Sequence, residues 1–328
     1  MKTNLSVPFS ILVSTLSLLQ GSPAQAQKLY HFSRKDERRL LGPRYEGRLI
    51  PMEPLDEIAE LREEPLILIH GRSGSAKDFA NLISSAPKLA QYQLFYFAYD
   101  DLHRSLKRSA QDLALNLLSL RTPRVTLIAH SMGGIIAREA LNILSKVQML
   151  ENLPEIRVIA VDTPWQGGSV RGCSYKETHL DNFVEFFLPA AITDMRSCSD
   201  FFKGLYSISW PTKFSMELYF AERGEQAQDY TEAPLNKLPE KIANLFAKNI
   251  PMTGTLFEMH FWNALTTSVQ YPYFVEELGE LHEHSPITAT EVKALLEKHF
   301  PRFPGDHSTV LGPHPGKKDL PSYLQQIL

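Results

Sequence analysis

The stretch Val125-Thr126-Leu127-Ile128-Ala129-His130-Ser131-Met132-Gly133-Gly134 decides the fold class. It opens as a continuous apolar run and passes a serine set among small residues. It then continues with Ile135, Ala137, Ala140, Leu141 and Leu144 at three- and four-residue spacing. An apolar run without strict alternation suits a strand covered on both faces, and the spacing after it suits an amphipathic helix. Ser131 therefore stands at the apex of a strand-to-helix turn. In a very tight turn of this kind the strand end and the helix start nearly touch, so the residues two before and two after the apex must be small. Ala129 and Gly133 meet that demand. The apex side chain is pushed out at the carboxyl edge of the sheet. Beside it, the helix start offers the Met132 N–H and a positive dipole end to an anion.

The same reading extends outward. Leu66–Ile69 is an apolar run that stops at His70-Gly71, Leu94–Tyr99 stops at Asp100-Asp101, and Val158–Val161 and Met216–Ala221 are two more. Ser105–Leu120 puts Leu106, Ala110, Leu113 and Leu117 on one helical face. Alternating strand and helix predicts βαβ units with right-handed crossovers. The expected class is α/β, a mostly parallel central sheet flanked by helices over residues 65–328. Residues 165–210 break the rhythm with Phe183, Phe186, Phe187, Phe201, Phe202 and Trp210. They read as a helical cap, serving either as a lid with an apolar inner face or as ordinary packed core. Residues 235–300 are expected to be mostly helical, with Leu320–Ile327 a closing helix. Residues 27–64 are strongly charged and hold Pro43, Pro51 and Pro54. They read as a solvated lead-in with one short helix at Leu55–Arg62.

Composition narrows the function classes. With 328 residues, 43% of them hydrophobic, the chain can bury a sizeable core. Its 34 Lys+Arg against 37 Asp+Glu leave a net charge of −3, which offers nothing to a polyanion and argues against a nucleic-acid partner. At the N-terminus, Lys2 precedes a short apolar run, Leu5–Leu19, broken by serines, and then Ala24-Gln25-Ala26. That pattern is a secretory signal peptide over residues 1–26, cut after Ala26, which places the mature chain in the periplasm or outside the cell. In an oxidising compartment the two cysteines, Cys173 and Cys198, are expected to pair. Such a bridge would contribute about 3 kcal/mol in the loop-entropy picture.

Val125–Leu141 resembles the nucleophile elbow of the α/β-hydrolase superfamily, in particular its lipase and serine-esterase branches. Ala129 stands where the common pattern has Gly, as in some bacterial lipases. Leu66–Gly74, LILIHGRSG, is similar to the family's strand and His-Gly oxyanion segment, which implies a second oxyanion N–H from Arg72 beside that of Met132. Val158–Gly168, VIAVDTPWQGG, resembles the strand and TP-x-x-G turn of such lipases.

A serine nucleophile needs a general base, and imidazole is the usual one. Of eleven histidines, His307 fits best. It lies in a turn, Pro304–Val310, after all the strands, in the family's order of nucleophile, acid, histidine. His130 adjoins Ser131, but neighbouring side chains on a tight turn point apart, so it reads as structural. His70 belongs to the oxyanion segment, and His282 and His284 read as a solvated face. The acid is left open among several carboxylates. Asp229, after the strand Met216–Ala221, holds the family's usual place and is favoured. Asp162, at the end of the preceding strand, is the seat some lipase branches use. Glu222 and Glu225 share the loop of Asp229, and Asp306 is too close to His307 in sequence to orient it.

The resemblance implies hydrolysis of carboxylic esters through an acyl-Ser131, with small-molecule or lipid-like substrates, transient contact with a lipid surface, and neither metal nor organic cofactor. Two alternatives stand beside it: an acyltransferase or amidase using the same acyl-serine, and an exported binding protein on the same fold without catalysis.

Overall fold

The apolar runs become the centre of one sheet. The computed structural model describes residues 45–52, 64–147, 153–167, 189–196, 199–223, 256–284 and 288–328, with Lys35, Glu37, Arg39 and Glu151. Among the described residues the strands are β1 (Arg48–Pro51), β2 (Pro65–Ile69), β3 (Gln93–Ala98), β4 (Arg124–His130), β5 (Glu155–Val161), β6 (Phe214–Ala221) and β7 (Arg302–Phe303). Their order across the sheet is β1-β3-β2-β4-β5-β6-β7. β1 runs antiparallel to β3, and every other pairing is parallel. The helices are α1 (Ala80–Ser85), α2 (Leu106–Ser119), α3 (Met132–Leu144), α4 (Ala190–Asp194), α5 (Asp200–Leu205), α6 (Leu256–Thr266), α7 (Tyr271–His284), α8 (Ala289–His299) and α9 (Leu320–Ile327).

A parallel sheet must be covered on both faces, and side-chain alternation sorts the cover. Leu127 and Ala129 of β4 join a core with Leu113, Leu117, Ile136 and Leu141 from α2 and α3. Ile128, one residue out of phase, joins the opposite core with Leu82 of α1, Leu324 of α9, and Val310 and Leu311 from the segment after β7. His130 follows Ile128 in that alternation and so faces the segment that carries His307. Register brings the carboxyl ends together: Ile69 pairs with Ala129, His130 with Val161, and Val161 with Tyr219.

The lead-in does more than solvate. Arg48–Pro51 forms the antiparallel edge strand, and the buried Glu37 carboxylate accepts from Tyr96 Oη–H at 2.8 Å and Ala76 N–H at 2.9 Å. An edge strand pairs on one side only, so an arginine and a proline are tolerated there and no apolar run announces it. The signal peptide expected at 1–26, the helix expected at 55–62, both cysteines and residues 224–255 lie outside the described residues.

The described part of the 165–210 excursion packs as core over α2 and α3. The Asp194 carboxylate accepts from Leu106 N–H at 2.7 Å, where α2 begins. The Leu205 carbonyl accepts from Asn142 Nδ2 at 2.9 Å and Arg138 Nε at 3.2 Å, both on α3. The Arg138 guanidinium lies 4.6 Å from the ring centres of both Tyr206 and Trp210. Phe202 and Leu205 are fully buried. Phe202→Ala is therefore expected to lower global unfolding free energy by about 3–5 kcal/mol, read from the urea midpoint. A flap that opens independently would leave that midpoint in place.

Candidate active site

Ser131 occupies the expected apex, with φ 55° and ψ −131°. A non-glycine residue held there costs about 1–3 kcal/mol, which the surroundings must offset. Ser131 N–H donates to the Val161 carbonyl at 2.9 Å, and the Ser131 carbonyl accepts from Gly134 N–H at 3.0 Å. The close approach that the turn needs is visible at Gly133, where a Cβ would come within 2.5 Å of the Ile69 carbonyl oxygen. A Cβ on Gly71 would likewise meet the Ser131 side chain at 2.5 Å. Met132 opens α3, where first-turn N–H groups have no intrahelical acceptor.

Ser131, His307 and one carboxylate form a continuous chain. The Ser131 Oγ lies 2.8 Å from His307 Nε2, and His307 Nδ1 lies 2.5 Å from Asp162 Oδ2. Asp162 also takes a positive φ, 44°, at the carboxyl end of β5. Its N–H donates to the Tyr219 carbonyl at 2.7 Å, and its Oδ1 accepts from Ala221 N–H at 3.1 Å. Both bonds run to β6, so the residue is held before its carboxylate meets the imidazole. Ser131 and Asp162 are buried, while the His307 side chain is 38% exposed, open to a substrate and its leaving group. Nucleophile, base and orienting acid are all present, in the arrangement of a serine hydrolase.

The architecture is that of an α/β-hydrolase. It is recognised here by the sheet order, the elbow and the triad.

His307 Nδ1 meets Asp162, one of the carboxylates the sequence left open beside the favoured Asp229. Asp229 and Glu225 lie outside the described residues. Glu222 is exposed and 3.8 Å from Lys317. The Asp306 carboxylate turns into its own loop, where the Thr309 hydroxyl at 2.9 Å, and then Ser308 N–H and Thr309 N–H at 3.0 Å, hold it below the usual carboxylate range. Strand register explains the place of Asp162. His130 pairs with Val161, so the residue after Val161 must emerge beside the elbow, and aspartate tolerates the positive φ needed there.

The Arg72 loop is braced from behind. His70 stacks on Tyr99 at 4.3 Å and Tyr96 at 5.5 Å, and its Nδ1 donates to the Gly71 carbonyl at 2.6 Å. Tyr99 Oη–H donates to the His70 carbonyl at 2.6 Å. Ser73, at φ 60°, donates its N–H to the buried Asp101 carboxylate. The Arg72 side chain itself is exposed. Among the described residues no group of three or more His, Cys, Asp or Glu is arranged to hold a metal ion, and no helix is long and apolar enough to cross a membrane.

No protein-family model matches the chain, and no curated protein does. Solved structures give distant likenesses. The mature form of Bacillus licheniformis lipase BlEst2 is 19% identical over 71% of this chain and 98% of its own, with TM-score 0.38. The propeptide form of the same lipase is also 19% identical, over 54% of this chain, with TM-score 0.41. An extracellular alpha/beta-hydrolase from a Paenibacillus species is 13% identical over 80% of this chain and 97% of its own, with TM-score 0.32. The chain spans 40% of the propeptide form of BlEst2 and 37% of Aspergillus fumigatus lipase B.

His130 has a distinct electrostatic position. Burial, and then the neighbouring His307, lower its pKa from 6.5 to about 4. Unfolded, the imidazole takes a proton near pH 6.5; folded, it stays neutral until about pH 4. Its contribution to stability is therefore complete above pH 6.5 and is lost as the pH falls toward 4, by about 3 kcal/mol over that window. Urea unfolding from pH 7 to 4 is expected to show this decline, and His130→Gln is expected to flatten it.

Proposed function

We propose that this α/β-hydrolase is an exported enzyme that cleaves carboxylic esters through an acyl-Ser131 intermediate. The observation that carries the reading is the hydrogen-bonded chain from Ser131 Oγ through the His307 imidazole to Asp162. Nε2 of His307 takes the hydroxyl proton as Oγ attacks the ester carbonyl, and returns it to the leaving alkoxide. Asp162 holds the imidazole with Nε2 toward the serine and stabilises the cation formed in transit. Water then attacks the acyl carbonyl with the same base, and Ser131 is released. The N–H groups of Met132 and Arg72 are assigned to the tetrahedral oxyanion, where one donor is worth about 10²–10³ in rate. Two features support that assignment: the Met132 N–H at the start of α3, and the bracing of the Arg72 loop against Tyr99 and Asp101. None of these steps needs a metal or an organic cofactor.

Apolar, lipid-like acyl esters are the favoured substrates, from Phe183, Phe186 and Phe187 of the 165–210 excursion, since Phe202 and Trp210 are taken up in packing over α3. Export rests on the N-terminal pattern ending at Ala26.

The test is hydrolysis of p-nitrophenyl esters from acetate to palmitate. Ser131→Ala and His307→Ala are each expected to abolish turnover above background. Asp162→Asn is expected to lower kcat by about 10⁴, since it loses the correct tautomer of the base. Asp229→Asn is expected to stay within twofold of wild type. Turnover surviving in Ser131→Ala would sink the nucleophile, and loss in Asp229→Asn alone would return the acid to β6. Acyl transfer to an added alcohol or amine in preference to water would shift the reading to a transferase.

A further inference from the structure

We propose that His130 is a positioning residue for the chemistry at Ser131. Its Nε2–H, donated to the backbone carbonyl of His307, ties the loop that carries the base to the strand that carries the nucleophile. The proposal rests on the serine-hydrolase reading of this site and deepens it.

The tie follows from chain geometry. His130 is the last residue of β4 and immediately precedes Ser131. Alternation along the strand sends its side chain to the face covered by the segment after β7, where Val310 and Leu311 are buried. There Nε2 lies 2.8 Å from the His307 carbonyl oxygen, and the two rings are 4.9 Å apart. A carbonyl only accepts, so Nε2 carries the proton, and a neutral imidazole has one such donor to place. His130 is buried, and the same burial that keeps it neutral strengthens that hydrogen bond.

His307 needs such a tie. Its side chain is 38% exposed, so close packing does not fix the ring. The Asp306 turn shapes the loop from within, through bonds to Ser308 and Thr309. Arg223 N–H reaches the Gly305 carbonyl at 3.1 Å, which secures the loop's entrance. The His130 bond instead acts at His307 itself, and it runs to the residue next to the nucleophile. It sets the separation of base and hydroxyl from the backbone side, as Asp162 sets the ring's rotation from Nδ1. A misplacement of about 1 Å at such a centre can cost about 10² in rate.

The experiment compares His130→Leu, His130→Asn and His130→Gln in the full chain. A glutamine amide can bring an N–H to where Nε2 stood, whereas asparagine is too short. On a p-nitrophenyl ester, kcat is expected to fall about 10–100-fold in the Leu and Asn variants with KM within twofold, and to return within about threefold of wild type in the Gln variant. The far-downfield proton resonance of the short His307–Asp162 bond is expected in wild type and His130→Gln, and displaced or lost in His130→Asn. If His130→Leu does not fold, the Asn and Gln pair carries the comparison. An Asn variant with wild-type kcat and an unmoved resonance would overturn the proposal, and so would a Gln variant as impaired as the Leu one. Labelling of Ser131 by a fluorophosphonate separates the two readings. A folded wild type neither labelled nor active would sink both together, while a labelled, active wild type with an unimpaired Asn variant would sink this one alone.

Discussion

The tight turn at Ser131 is the constraint on which the rest of the structure depends. A serine held at φ 55° is strained, and it stays there only because neighbours on every side are placed to hold it. Gly133 lets α3 close against the end of β2, Gly71 leaves room for the hydroxyl, and the Val161 carbonyl takes the Ser131 N–H. Each of these depends on the register of β4 between β2 and β5. A slip of one residue would turn His130 and Ala129 to the wrong faces and remove the nucleophile from the sheet edge. The two apolar cores therefore do chemical as well as structural duty, because they hold the register that presents the hydroxyl.

The second carboxyl-edge position repeats the device. Asp162, one residue past β5, also takes a positive φ, and its backbone and Oδ1 are both bonded to β6. The acid is thus held before it meets the imidazole, and the partly exposed His307 is positioned by hydrogen bonds at Nδ1, at Nε2 and at its carbonyl. Preorganisation in this site is achieved by strand ends and backbone groups more than by packed side chains.

Much of this was legible in the residues. The apolar runs at 66–69, 125–129 and 158–161 are fully buried strands. The small residues on either side of Ser131 mark the close approach of a strand end to a helix start, which leaves no room for larger side chains. His307 was legible from chain order. The acid was not, because the choice between Asp162 and Asp229 is a matter of which loop end emerges beside the elbow, and register is a property of strand pairs that no single segment encodes. β1 and β7, four and two residues long, are too short to carry a periodic signal. The role of His130 was hidden for a related reason: its partner lies 177 residues away and is a backbone carbonyl, which has no side-chain identity to read.

The triad's spread along the chain has a consequence for biosynthesis. Ser131 and Asp162 belong to successive strand ends of the sheet's centre, whereas the imidazole arrives 145 residues after the acid, behind a two-residue strand. A ribosome delivers these groups in that order. Until His307 has emerged, the hydroxyl and the carboxylate have no His307 imidazole between them, so the triad is incomplete. Competence comes with the docking of β7 and its loop, which makes activity a report on the completion of the fold.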